Sequence, residues 1–191
     1  MTTRSLTLAI LCATGGFAHA QPADSCDYLD RESVARLVGH PVGKPAARLR
    51  DHDTATVHTC VWKIEGDRPG TLEVSIRRAP DASINEQNIQ EMKAAAPYVH
   101  PEVRASRIPQ LGDYAAFRHS VSRDHASVVV MHGTVMVHLS AWQLNMGAKE
   151  QPAMVAAVKT ILGVEADAAV ARAAIGKRPE LHARNGGVVS P

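Results

Sequence analysis

Residues 131–138 read MHGTVMVH, which places Met131, His132, Met136 and His138 within eight positions. Thioether and imidazole donors together suit copper, above all Cu(I). Along one strand Met136 and His138 stand about 6–7 Å apart, so a shared ion has to sit between long side chains. Methionine is equally ordinary packing material beneath a covering helix. A second polar run, RDHD at 50–53 with His58 beyond it, offers Asp51, His52 and Asp53 to a divalent cation. Three successive loop side chains rarely converge on one ion, so this run reads as solvated loop. His100-Pro101-Glu102 reads the same way. In LGD at 111–113, Gly112 is free to take a positive φ and Asp113 serves a turn before it serves a ligand. Asp113 and Trp142 are the candidate ligand-binding residues outside the Met/His set.

Nucleophilic and hydrolytic chemistry finds less support. No G-x-S-x-G elbow is present, and His125 beside Asp124 is adjacency in sequence, not the geometry of an oriented triad. The H-E-x-x-H spacing of zinc proteases is missing, as is a glycine-rich phosphate loop after a strand. The expectation is therefore no catalytic residue and no cofactor, with copper on Met131, Met136 and His138 as the alternative.

These side chains can act together only if the elements bring them to one face. ASVVVM (126–131) and TVMVHLSA (134–141) flank His132-Gly133, which reads as a two-residue hairpin turn. That turn sets Met131 opposite Thr134, Val129 opposite Met136 and Ser127 opposite His138. One face then holds Val128, Val130, Val135, Val137 and Leu139, the core side. The other holds Ser127, Val129, Met131, Thr134, Met136, His138 and Ser140, with Trp142 further along.

The remaining elements follow from periodicity and punctuation. Asp30 N-caps a first helix in DRESVARLVG, with Leu29 and Val34 as a hydrophobic staple and Gly39 at the C′ position. Residues 40–55 read as loop. TVHTCVWKI (56–64) and TLEVSIR (71–77) alternate and form a hairpin across GDRPG. DASINEQNIQEMKAAAP is a second helix, with a Ser83/Glu86 capping box and Pro97 as its stop. A loop leads to a short strand, YAAF (114–117), and then to the MHGTVMVH hairpin. A third helix spans about 152–162, closed by Gly163. The order α-β-β-α-β-β-β-α predicts an α+β domain with an antiparallel sheet of about five strands flanked by helices. That domain spans 21–163, with a possible extra helix at 164–176 and a disordered tail at 177–191.

The first residues set the compartment. Arg4 precedes the apolar LTLAILCATGGFA, and AHA ends at Ala20, the pattern of a secretory signal peptide over 1–20 cleaved after Ala20. Cys12 leaves with it, so Cys26 and Cys60 remain and pair as one disulfide in an oxidising compartment. The formal charge is +2, basic residues are dispersed along the chain, and aromatic residues make up only 4%. That profile argues against nucleic-acid binding, which needs a clustered basic face with stacking aromatics. No run beyond the signal is long enough to span a membrane in the mature chain.

CDYLDRESVARLVG near the mature start, CVW at 60–62, IPQLGDYAAF at 108–117 and the closing hairpin plus helix carry a resemblance covering about residues 26–163. On these residues the chain resembles a family of small secreted bacterial proteins, often lipoproteins, without an established general function. The resemblance implies a PsbP-like fold, an antiparallel sheet flanked by helices. A related arrangement occurs in the extracellular sensor domain of a mycobacterial serine/threonine kinase. The family's paired cysteines map onto Cys26 and Cys60, and no catalytic residues come with it. This chain lacks a lipobox.

Together these readings predict a periplasmic or secreted, non-enzymatic binding or accessory protein, with an inhibitor or immunity module as one variant. Its partner is an unknown envelope protein or small ligand. The alternative is a periplasmic protein that binds copper or another metal through the Met/His hairpin face.

Overall fold

The computed structural model describes residues 25–52, 55–66, 69–95 and 101–176. The expected signal peptide and tail, and with them Asp53, Pro97 and His100, lie outside these residues.

A single 3-10 turn at Ser25–Asp27 leads into helix α1, Arg31–Val38. Asp30 accepts from the Ser33 amide at 2.6 Å, and Gly39 closes the helix at φ 72° while its amide donates to Ala35. The capping chemistry written in DRES and LVG is thus the chemistry used. Three strands follow: β1, Ala46–His52; β2, Ala55–Ile64; and β3, Gly70–Arg78. Helix α2, Ala82–Ala95, connects them to β4, Val103–Arg107; β5, Tyr114–Ser120; β6, His125–His132; and β7, Val135–Trp142. Helix α3, Gln151–Gly176, ends the described chain.

All seven strands form one antiparallel sheet in the order β1-β2-β3-β7-β6-β5-β4. Two meanders therefore meet at a central β3–β7 ladder. Because β3 is central and β4 is the far edge, α2 must cross the sheet between them. It crosses on the face opposite α1 and α3.

The α+β class stands, but the sheet has seven strands where about five were expected, in a different order. Both additional strands, β1 and β4, fall in stretches expected as loop. AARLRDH and VRASR carry no apolar alternation because they are edge strands with exposed side chains. Their backbone order comes from the neighbouring ladder, and their charges discourage edge-to-edge pairing. Helix α2 is capped by Asp81, whose carboxylate accepts from the Ser83 amide at 2.7 Å, not by the expected Ser83/Glu86 box. Gly163, expected to stop the third helix, lies inside α3, which continues without a break through 164–176.

The hairpin register also moves. His132 pairs with Val135 and Met131 with Met136, so the loop is Gly133-Thr134. Gly133, at φ 54°, takes the first loop position, where favoured two-residue turns want glycine. Three contacts pin it there: Gly133 N donates to Asp113 Oδ2 at 2.7 Å, Asn85 Nδ2 to Gly133 O at 2.8 Å, and Ala79 N to Thr134 O at 2.9 Å. Moving the loop by one place changes each strand partner by two, so the expected division into two faces survives.

One face carries the main core. Cys60, Trp62, Leu72, Val74, Ile76, Val128, Val130, Val137 and Leu139 pack there against Val34 of α1 and Met154, Val158 and Ile161 of α3. Cys26 and Cys60 are disulfide-bonded with Cα atoms 5.1 Å apart. At one end Glu165 of α3 meets Arg78 of β3 and Tyr28. Arg78 Nε donates to Oε2 at 2.9 Å and Nη2 to Oε1, while the Tyr28 hydroxyl also donates to Oε1. No described helix is long and apolar enough to cross a membrane.

Candidate binding face

The second sheet face is treated very differently. Helix α2 covers only its turn-proximal end, where Ile89 packs with Tyr114, Ala116 and Met131, and Met92, Val129 and Met136 sit at the margin. Beyond α2, the pairing register lays the remaining side chains in rows. One row runs Arg107, Ala116, Val129, His138, Ser75, Thr59 and Arg48 from β4 to β1. The next runs Ala105, Arg118, Ser127, Ser140, Glu73 and Val61. A third brings His125, Trp142, Thr71 and Lys63 together.

Polar groups along these rows are held in place. Thr59 Oγ1 and Ser75 Oγ are 3.1 Å apart, and Ser75 Oγ donates to Glu73 Oε1 at 3.1 Å. Burial holds the His138 imidazole below its ordinary pKa, opposed by the Glu73 carboxylate and reinforced by His125 and Arg118. His138 is thus biased to the neutral form, with a ring able both to accept and to donate. Burial also lowers His125, whose ring lies 4.0 Å from that of Trp142 at 35°. Trp142 is 50% exposed, a large aromatic surface open to solvent beside that ring.

The predicted site residues separate on this frame. Met131 is 1% exposed among Ile89, Tyr114 and Ala116, so its thioether is packing under α2. Met136 lies directly opposite it at the helix margin, and His138 lies one row further out. The three copper donors share a face, as expected, but not an environment. His132 is at the turn, 3.8 Å from Asp113 Oδ2. Asp113 holds the hairpin loop and is distant in register from Trp142, so these two do not form one site. Among the described residues, no three His, Cys, Asp or Glu side chains gather as a metal site.

The face also carries residues that no motif in the sequence marks. Arg48, Arg50, Lys63, Arg77, Arg107 and Arg118 all belong to its rows, and Glu73 is the one strand carboxylate there among the described residues. The cations are dispersed in sequence but placed on one sheet face by the fold. The signal was available only in TLEVSIR, whose polar phase contains Glu73, Ser75 and Arg77. Arg118 needed β5 to be extended past YAAF.

The fold and site define a small α+β domain with one face of a single sheet buried and the other largely open. No family model matches the chain, and no curated protein does. Among solved structures, the extracellular domain of PknH from Mycobacterium tuberculosis is similar in fold. The TM-score is 0.49 at 10% identity, over 72% of this chain and 92% of that one.

Proposed function

We propose that this protein is an exported, non-enzymatic binding or accessory module that receives its partner on the open sheet face. One observation carries the reading. Trp142, 50% exposed, stands on the same sheet face as His138, Glu73, Ser75, Thr59 and Arg118. A face that merely meets water has no need of an exposed tryptophan beside an ordered polar lattice. Export is supported by the signal-like first residues and by the Cys26–Cys60 disulfide. A binding role is favoured over hydrolysis because the Ser75 hydroxyl donates to Glu73 rather than to its strand neighbour His138. An inhibitor or immunity module, with an envelope protein as its partner, is one form this function takes. We also propose that the chain is a divergent member of the secreted PsbP-like family that its motifs resemble.

A photo-crosslinking residue placed at Trp142 tests the reading, with Leu49, exposed on the edge strand's other face, as control position. The expected result is a discrete crosslinked product in envelope extracts at 142 and none at 49. Equal labelling at both positions, or saturable turnover in a hydrolase-substrate screen, overturns it.

A further inference from the structure

We propose that the cleft between α2 and strands β4 and β5 binds a small anion through carboxylate or phosphate oxygens. This rests on reading the open face as a binding surface. The cleft has a volume of about 450 Å³ and is lined by Lys93, Arg107, Arg118, Tyr114, Ala105 and Ala116, among others. That volume suits a small ligand. Three cationic side chains line it, and no carboxylate does among the described residues.

Two of the cations are arranged rather than merely present. The Arg107 guanidinium carbon lies over the Tyr114 ring, 4.0 Å from its centroid, which holds the charge against an aromatic face. Arg118 Nε is buried and has no hydrogen-bond partner among the described residues. A buried charged donor without an acceptor is costly, and an anionic oxygen is the acceptor that satisfies it best. Among the described residues, neither Glu73 nor Glu91 does so. Glu73 shares the Arg118 row, but β6 and β7 lie between β5 and β3, a separation of about 14 Å at normal strand spacing. That exceeds the Debye length at ordinary salt, about 8–10 Å. Glu91 lies about 200° around the helix from Lys93 and is bonded by Gln87. Guanidinium forks match the planar carboxylate and the phosphate alike, so the shared chemistry is an oxyanion.

The test is calorimetric titration of the exported, purified protein with inorganic phosphate, glycerol 3-phosphate and succinate at constant ionic strength in chloride. The Arg118 Nε–Hε resonance is followed in parallel. The expected result is saturable binding of at least one of these anions, with that resonance moving downfield. Binding should be about 10- to 100-fold weaker in Arg118→Gln, the loss of one charge-assisted hydrogen bond. Lys93→Gln, on an exposed helix position, should weaken it without disturbing the fold. The relative affinities of phosphate, phosphomonoester and dicarboxylate separate the possible sources of the oxyanion. No saturation beyond the chloride control, or undiminished affinity in both variants, overturns the proposal. If crosslinking at Trp142 succeeds while no anion titrates, only the cleft proposal fails. If neither succeeds, the binding-face reading falls with it.

Discussion

Glu165 is 4% exposed, yet it is held by two donors from distant parts of the chain, Arg78 and Tyr28. Deleting one partner of such a buried pair leaves the other charged and unpaired, so Glu165→Ala should lower stability by about 3–5 kcal/mol. Urea midpoints read this directly. Arg78→Met with Glu165→Leu should recover most of the loss, because the double variant strands no charge. A double variant as unstable as the single one would sink the pairing explanation. The same cluster sets an alkaline limit. Burial, with the hydrogen bond to Glu165 next, raises Tyr28 to about 12. The folded state favours the protonated phenol, so this contribution is full below the unfolded value of about 10 and is lost as pH rises through about 12. His125 and His138 act at the other end. Both are held below the ordinary value by burial, so their neutral forms stabilise the fold above pH of about 6.5 and that contribution is lost on acidification. His125 also gives a local reading, since its ring contacts Trp142. Tryptophan fluorescence should change with a midpoint below about 6.5, and Trp142→Phe should abolish that transition. A midpoint at or above the free-histidine value is the contrary result.

Helix α2 decides what the Met/His string means, and its course is a property of topology. β3 is central and β4 is peripheral, so the connecting helix passes over β7, β6 and β5. Met131 is thereby buried. Met131→Ala should cost about 2–5 kcal/mol, while Met131→Leu, which nearly conserves volume, should cost less than about 1.5 kcal/mol. Titration with Cu(I) should give the wild type no tighter binding than the Met136→Leu, His138→Ala variant. A clear wild-type advantage, lost in Met131→Leu, would favour the metal reading. The division into faces was legible in the sequence because period-2 alternation is local and survives the one-place shift of the loop. Asp30, Gly39 and the α1 caps were legible for the same reason. β1 and β4 were not, because an edge strand borrows its order from a neighbour and needs no apolar phase. That Arg48, Arg77 and Arg118 share one face was not legible either, since it follows only after three separate ladders are in register.

At the scale of the molecule, two meanders join at the β3–β7 ladder, and the N-terminal segment is tied to the first of them by Cys26–Cys60. The cysteines are 34 residues apart in sequence. Closing a loop of that length removes denatured-state entropy equivalent to about 3–4 kcal/mol in the chain-entropy model. The effect belongs to the unfolded chain, so it should not be confined to the part of the fold that the bridge touches. Replacing both cysteines by alanine should therefore lower the protection of every amide that exchanges through global unfolding by the same amount, those of β6 as much as those of β2. Native-state hydrogen exchange resolves this strand by strand. If protection falls only in α1, β1 and β2 while β5 and β6 keep theirs, the bridge acts as a local clamp on the N-terminal meander, and the two meanders open as separate units.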